Sequence, residues 1–175
     1  MHRDKNTASL YEEVIRRNSE TVYRLAYALV RTRADADDIY QEVFLRYVRK
    51  TPAFDSAGHE KAWFMRVTIN CCKNFWRSPW MQRRRALESG ALEREASEAD
   101  TFRETSDGDQ LLIETVRRLP EKYRAVIHLF YYEELSVEEI GRITDSKEST
   151  VRTRLTRARR ALKSLLKEEG GDFHV

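Results

Sequence analysis

The sequence contains few of the residues that interrupt a helix or cross-link a chain. Glycine occurs 6 times and proline 3 times among 175 residues, which favours helices over a turn-rich β fold. The only two cysteines, Cys71 and Cys72, are adjacent in the chain. Adjacent cysteines rarely pair with each other, and they lack the C-x-x-C spacing of a zinc or redox site. We therefore predict two reduced thiols in a helix, with a redox role as the alternative.

Long hydrophobic runs and catalytic signatures are missing as well. No stretch of about 18 apolar residues occurs, and the polar N-terminus lacks the apolar segment of a secretory signal. We therefore expect a cytoplasmic protein without direct membrane insertion. The four histidines, His2, His59, His128 and His174, are too scattered to form a metal site. Because phosphate-binding glycine loops, nucleophile elbows and HExxH motifs are also missing, we expect no enzyme, no metal and no cofactor.

Charged residues are abundant but nearly balanced. The chain has 32 Lys and Arg against 29 Asp and Glu, a net charge of +3, and 41% of its residues are hydrophobic. Such a chain can build small apolar cores. The net charge alone is a weak sign of nucleic-acid binding, so the distribution of the charges along the chain has to decide.

Apolar residues recur at helical spacing in two parts of the chain, which are separated by a polar segment. In the first part the pattern predicts helices at about 10–30, 35–50 and 60–77, with a loop at 51–58. In the second part it predicts helices at about 111–119, 123–131, 135–143 and 147–167, with Pro120 between the first two. We therefore predict an all-α fold of two small helical domains, at residues 8–80 and 108–168.

The segment 81–107 lacks a convincing apolar face. Its only aromatic residue is Phe102, and acidic and basic side chains are mixed along it. A segment of this composition cannot bury enough apolar surface to offset the loss of chain entropy on ordering. We therefore predict a flexible, solvated linker that forms helix only transiently.

The most informative segment is SVEEIGRITDSKESTVRTRLTRARRALKSLL, residues 136–166. Ser136 followed by Glu139 is a capping-box pattern, and Asp145 lies where the chain must turn in a left-handed conformation. A short helix, a tight turn and a longer basic helix describe a helix-turn-helix, whose second helix can enter the major groove of DNA. Residues 146–168 contain eight cations and two acids, which supports phosphate binding. The alternative is a solvated basic helix, or one that binds a membrane surface or a protein.

In the N-terminal part, the segment ADADDIYQEVFLRYVRK, residues 34–50, contains Asp38, Gln41, Glu42, Val43 and Phe44. At these five positions it resembles the polymerase-binding region of the sigma-70 family of RNA polymerase sigma factors. The resemblance implies that Asp38, Gln41, Glu42 and Phe44 bind the polymerase.

The segment AWFMRVTINCCKNFWR, residues 62–77, resembles the promoter-melting helix of the same family. Trp63, Arg66, Asn70 and Arg77 match its pattern, whereas Asn74 stands where aspartate is common. Aromatic faces beside cations can hold unpaired bases, although Trp63 and Phe64 could equally be core residues. By the resemblance, the −10 element of the promoter is bound by Phe54, Trp63, Arg66, Asn70, Lys73, Asn74 and Arg77.

The C-terminal part, including LPEKYRAVIHLFYYEELSVEEI, resembles the second conserved domain of the family. Ser146 occupies a position that is often apolar, and Asp145 and Ser149 replace frequent glycines, which bears on the geometry of the turn. The −35 element is expected to contact Lys147, Thr150, Arg152, Thr153, Thr156, Arg157 and Arg160.

Only these two domains have room in the chain, which is typical of the extracytoplasmic-function (ECF) group of sigma factors. The resemblance covers roughly three-quarters of the sequence and implies an alternative sigma factor with a region-2-like domain at 8–80 and a region-4-like domain at 108–168. The expected partners are the clamp and flap of core RNA polymerase, duplex and single-stranded promoter DNA, and an anti-sigma factor, which in this group is often membrane-anchored.

Other classes of protein carry a helix-turn-helix as well. The main alternative is a stand-alone transcriptional regulator, which would bind duplex DNA without polymerase, usually at a two-fold site. An adaptor that acts through its acidic helix, or an enzyme, are further alternatives. The pattern around Gln41 favours the sigma factor.

Overall fold

In the computed structural model, the described residues are 2–87 and 107–168. They are almost entirely helical and contain no β-strand, which confirms the all-α prediction for this part of the chain. The chain divides into two compact units, an N-terminal unit at Met1–Ala86 and a C-terminal unit at Leu87–Val175.

The N-terminal unit is built from three long helices and one short helix. α1 spans His2–Leu29, α2 spans Arg33–Lys50, α3 spans Ala57–Arg77 and α4 spans Pro79–Leu87. α1, α2 and α3 pack against one another around an apolar core. The largest fully buried side chains of this core belong to Leu25, Leu29, Phe64, Met65 and Ile69.

Side-chain caps define where α2 and α3 begin. The hydroxyl of Thr32 accepts a hydrogen bond from the Asp35 N–H at 3.1 Å, and that of Ser56 accepts one from the His59 N–H at 3.1 Å. Each bond satisfies one of the free N–H groups of a first helical turn. α2 ends at Thr51, which adopts a left-handed conformation with φ of 41° and donates its N–H to the Tyr47 carbonyl. The loop 51–56 is therefore fixed at both ends.

The fourth helix corrects the prediction of a linker that begins at residue 81. The side chain of Met81 is only 4% exposed, and its N–H donates to the Ser78 hydroxyl at 3.3 Å. On the same helix, Arg84 reaches Asp35 at 3.7 Å and lies over the Trp80 ring. Residues 81–87 therefore belong to a packed helix. The remainder of the predicted linker, 88–106, lies outside the described residues.

The C-terminal unit is a cluster of short helices around one long helix. α5 spans Asp107–Arg118, α6 spans Glu121–Ile127 and continues into a π-helical turn at His128–Tyr132, α7 spans Val137–Thr144 and α8 spans Glu148–Glu168. α8 contacts α5, α6 and α7. The core of the unit contains Leu119, Val126, Leu129, Ile140 and Val151.

A buried arginine joins α5 to α6 across the break at Pro120. Arg124 is 3% exposed and donates from Nη1 to the carbonyls of Arg117 and Leu119, at 2.9 and 3.1 Å. These are carbonyls at the end of α5 that no helical N–H can reach. Arg124 therefore caps α5 from the next helix and fixes the angle of the break.

The two cysteines are free and buried in α3. Cys71 is 3% exposed and Cys72 is 0% exposed. Burial raises the pKa of the Cys71 thiol to about 11. Since a thiolate is the reactive form, this environment counts against a redox role.

We expect the native protein to resist thiol-specific disulfide reagents at pH 8. With a pKa of about 11, only about one Cys71 in a thousand is ionised at that pH, and the fold hinders access. In denaturant, both thiols should react at once. The measurement is the release of the coloured leaving group with and without guanidinium. Rapid reaction of one or both thiols in the folded protein would contradict the prediction.

Candidate functional site

The outward face of α2 combines polar and apolar side chains. Asp38 and Gln41 are exposed, and Glu42 is half-buried with an ion pair to Arg46 at 2.6 Å. Three of the four residues predicted to bind polymerase are therefore accessible on one side of the helix.

Two further residues of this face were not predicted. Leu45 is 48% exposed and Val48 is 45% exposed, and with positions 38 and 41 they continue one stripe at helical spacing. Leu45 and Val48 lie about one helical turn apart, so together they form a small apolar patch beside a carboxylate and an amide. The four residues Asp38, Gln41, Leu45 and Val48 are hereafter called the candidate polymerase-binding face, after the sequence-based prediction for Asp38 and Gln41.

Phe44 does not belong to that surface. Its side chain is 7% exposed, and its ring centroid lies 4.7 Å from Tyr40 and 5.4 Å from Phe64. In the folded unit Phe44 packs the contact between α2 and α3, and its role in polymerase binding stays a prediction. Its position on the helix, between the core residues Val43 and Tyr47, is the reason.

The predicted −10 residues of α3 share a single face. Arg66, Asn70, Asn74 and Arg77 are exposed, and Trp63 and Lys73 are half-buried, all on the side opposite the core residues. Phe64, in contrast, is fully buried. The face is a stripe of amide and cationic groups with an aromatic residue at one end.

The loop between α2 and α3 brings Phe54 to that aromatic end. The half-buried Phe54 ring lies 5.8 Å from Trp63, 5.7 Å from His59 and 6.4 Å from Tyr47, measured between centroids. Aromatic pairs at these separations stabilise one another. The loop therefore adds an aromatic ring beside the α3 stripe, although Phe54 and Trp63 are nine positions apart in the sequence.

The helix-turn-helix forms as the sequence indicates. Ser136 and Glu139 make both bonds of the capping box, at 3.2 and 2.8 Å. The Ser136 N–H, which donates to the Glu139 carboxylate, lowers the pKa of that carboxyl, and the Ser136 hydroxyl lowers it further. Asp145 ends α7 in the left-handed conformation, with φ and ψ both at 51°. These local features set the angle at which α8 leaves the turn.

α8 presents one apolar side and one basic side. Val151, Leu155 and Ala158 are buried in the unit. Of the predicted −35 residues, Lys147, Arg152, Thr153, Thr156, Arg157 and Arg160 are exposed and Thr150 is half-buried. Arg152 also forms an ion pair with Glu148 at 3.0 Å.

Another arginine of α8 contacts the π-helical turn of its own unit. Arg159 donates to the Tyr131 hydroxyl at 2.6 Å and lies over the rings of Phe130 and Tyr131. Arg159 therefore links α8 to the π-helical turn, and it is not one of the residues predicted to contact the −35 element.

The described part of the chain contains no group of three or more side chains able to hold a metal ion. No helix within 2–87 or 107–168 is long and apolar enough to span a membrane.

Comparison with known sequences gives two family matches and several similar proteins. The profile of Sigma-70 region 2 matches residues 14–82, and that of Sigma-70, region 4 matches residues 109–162. The chain is 31% identical over 137 residues to the ECF RNA polymerase sigma-E factor of Escherichia coli K12, which covers 73% of this chain and 72% of that protein. It is 28% identical over 170 residues to the RNA polymerase sigma factor SigV of Bacillus subtilis, which covers 97% of this chain and 98% of that protein.

Solved structures show a similar fold. The sigma factor RpoE of Bartonella quintana, in complex with the anti-sigma factor NepR, is 21% identical with a TM-score of 0.63, over 93% of this chain and 98% of that chain. CnrH in complex with the cytosolic domain of CnrY is 23% identical with a TM-score of 0.60, over 90% and 88% of the two chains.

Proposed function

The chain belongs to the sigma-70 family, as an ECF-type alternative sigma factor that directs transcription initiation, and we propose that its exposed faces divide promoter recognition between them. The candidate polymerase-binding face of α2 contacts the clamp of core RNA polymerase. The α3 stripe and Phe54 bind the opened −10 element, and α8 binds the duplex −35 element. The C-terminal unit also contacts the polymerase flap.

The single observation that carries the polymerase assignment is the exposure of Leu45 and Val48 beside Asp38 and Gln41. Burying the two apolar side chains against a partner would remove them from water, and Asp38 and Gln41 would give the contact its orientation.

The −10 assignment is supported by the chemistry of the α3 stripe. Unpaired bases stack on aromatic rings and their phosphates bind cations, and the stripe offers both, with Trp63 and Phe54 at one end and Arg66 and Arg77 along it. Asn70 and Asn74, one helical turn apart, can form hydrogen bonds with base edges. The −35 assignment rests on the basic side of α8, because a helix in the major groove can contact bases and phosphates together.

We further propose an anti-sigma partner for this chain, held near the membrane, and a cytoplasmic site of action. Two structurally similar sigma factors were solved in complexes with an anti-sigma factor or its cytosolic domain. A partner that covers Leu45 and Val48 would block polymerase binding directly.

Run-off transcription with purified core polymerase on fragmented DNA from the host tests the proposal. Wild-type protein should produce new discrete transcripts. Leu45→Asp combined with Gln41→Ala should abolish both these transcripts and co-elution with core polymerase, because a charge would be buried in the contact without a partner.

The matched control is Leu10→Asp, which makes the same change at a leucine of α1 that is 61% exposed and lies outside the candidate polymerase-binding face. It should leave transcription unchanged. Full transcription by the double variant, Leu45→Asp with Gln41→Ala, would overturn the assignment of the face. Duplex binding by wild-type protein without any transcript would favour a stand-alone regulator.

A further inference from the structure

Tyr47, near the end of α2, lies at the centre of the aromatic side chains of the N-terminal unit. It is only 4% exposed. The centroids of four other rings lie 5.3–6.4 Å from its own, and these rings belong to Phe64, Tyr11, Trp63 and Phe54. Aromatic pairs at such separations attract each other. Tyr47 has no part in the sequence-based assignments of polymerase-binding or DNA-binding residues.

The four rings around Tyr47 come from three different segments of the chain. Tyr11 lies on α1, and Phe54 lies in the loop before α3. Trp63 and Phe64 both lie on α3. The Phe54 ring is nearly parallel to the Tyr47 ring, at 15°, whereas the Trp63 ring meets it at 67°. Tyr47 therefore supports the loop and the start of α3 at the same point.

Phe54 and Trp63 are the two rings that we propose to hold unpaired bases of the −10 element. Each is half-buried, and their centroids lie 5.8 Å apart. Because Phe54 lies in a loop, the position of its ring depends on the side chains that it packs against. A ring that is already held in place loses little conformational freedom when a base stacks on it, and this favours binding.

We propose that Tyr47 is a positioning residue of the −10 site, which fixes the Phe54 and Trp63 rings relative to each other before DNA binds. The inference rests on the proposed −10 role of these two rings. Tyr47 acts through them, since its own ring is buried and cannot stack on a base. All four contacts are made by the ring, so a phenylalanine at this position should keep them.

The test is promoter opening by the reconstituted holoenzyme, on a promoter identified by run-off. A fluorescent adenine analogue in the −10 element reports the unpaired strand, and saturating sigma factor keeps polymerase binding out of the comparison. Tyr47→Met fills the space with a flexible side chain but removes the ring. It should lower the equilibrium constant of opening about tenfold, because two aromatic contacts that hold the site are lost. Tyr47→Phe should open the promoter as the wild type does.

Tyr40→Met is the matched control. Tyr40 is half-buried on the same helix, about 10 Å before Tyr47, and its ring packs on Tyr23 and Phe44. The same change at this position removes aromatic packing from α2 but leaves the rings of the −10 site in contact with Tyr47, so opening should stay at the wild-type value. All variants are compared at a temperature at which tryptophan fluorescence shows them to be folded. If Tyr47→Met does not fold, Tyr47→Leu takes its place.

A double-mutant cycle with Phe54→Leu separates positioning from general packing. If Tyr47 acts through Phe54, Tyr47→Met should reduce opening by a smaller factor in the Phe54→Leu background than in the wild type. Fully additive losses would overturn the inference. Equal opening by wild type and Tyr47→Met would do so too, as would equal losses with Tyr47→Met and Tyr40→Met.

The single variants of the two rings show whether the −10 role itself holds. If Phe54→Leu and Trp63→Leu reduce opening and Tyr47→Met does not, the inference fails and the proposed −10 role stands. If neither ring variant reduces opening, the proposed −10 role fails, and the inference fails with it.

Discussion

Replacing Gly141 with alanine should destabilise the C-terminal unit by about 1–3 kcal/mol, the usual cost of overpacking. A Cβ at this position would lie 2.8 Å from the Ser146 carbonyl oxygen, closer than such contacts occur in proteins. That oxygen belongs to the backbone of the turn, so it cannot rotate away as a side chain would. The Ser146 N–H also donates to the Gly141 carbonyl at 2.9 Å, which holds the turn close to α7.

The consequence for function follows from the same contact. The turn can relieve the clash by moving α8 away from α7, which would displace the residues of α8 that we propose to bind the −35 element. We therefore expect weaker transcription from promoters that depend on the −35 element. The three tryptophans all lie in the N-terminal unit, at positions 63, 76 and 80. Thermal unfolding followed by circular dichroism should show a lower unfolding midpoint for the C-terminal unit, whereas the transition reported by tryptophan fluorescence should stay at its wild-type midpoint.

Gly58→Ala is the matched control. A Cβ there would meet only the Ser56 hydroxyl, at an ordinary 3.8 Å. Because alanine is favoured over glycine in helices by up to about 1 kcal/mol, this change near the start of α3 should be neutral or stabilising. A Gly141→Ala protein with wild-type unfolding and transcription would show that the turn tolerates the extra methyl group.

The features that the sequence predicts well are those encoded by neighbouring residues. The capping box needs only Ser136 and Glu139, three positions apart, and the left-handed Asp145 follows from the turn between two periodic segments. The face of α3 follows from the helical repeat alone. Motifs of this kind also carry the family resemblance, which is why the fold class and the family can be predicted from the sequence alone.

The features that it misses depend on contacts between distant segments. α4 has a polar sequence, and its packing depends on the burial of Met81 and the contact of Arg84 with Asp35. Leu45 appears in the sequence as one more apolar residue of an amphipathic helix, and only the packing of α2 shows that it faces outward. The groove between α6 and α8 is lined by Lys122 and Arg154, which are 32 positions apart, a pairing that no periodicity indicates.

The same limit applies to an acidic residue whose sequence position suggests that it is exposed. Glu60 lies in the first turn of α3, where acids are common. In the structure it is 6% exposed and accepts hydrogen bonds from Arg17 Nε and Nη2, at 2.9 and 2.8 Å, and from Asn18 Nδ2 at 2.6 Å. It joins α1 to α3 across 42 positions, next to the loop that presents Phe54.

Glu60→Gln should therefore destabilise the N-terminal unit by about 1.5–2 kcal/mol. Hydrogen bonds to charged groups contribute about 1.5–3 kcal/mol, and the lower end applies because Arg17 is half-exposed and its charge is screened. Glutamine keeps the size of the side chain, but its NH₂ group is itself a donor. It would face one of the three N–H groups that donate to the carboxylate in the wild type, and that hydrogen bond would be lost. The midpoint of thermal unfolding followed by tryptophan fluorescence should therefore fall, whereas the unfolding midpoint of the C-terminal unit should not change.

The pH dependence gives a second, independent readout. The hydrogen bond from Arg17 lowers the pKa of the Glu60 carboxyl in the folded protein. The unfolded carboxyl has a pKa of about 4.3. A group with a lowered folded pKa contributes stability above its unfolded value, and this contribution is lost as the pH falls through the folded pKa. The wild-type unit should thus lose this stabilisation below about pH 4.3, and the difference between wild type and Glu60→Gln should shrink there.

Glu13→Gln separates this network from a simple loss of charge near Arg17. Glu13 lies 3.6 Å from Arg17 but its side chain is 59% exposed, so its removal should change stability by only a few tenths of a kcal/mol. If Glu13→Gln and Glu60→Gln lowered the tryptophan transition equally, the effect would come from the general field around Arg17. A large effect of Glu60→Gln alone, fading in acid, would show that three directed hydrogen bonds to one buried carboxylate fix α3, and with it the −10 face, on α1.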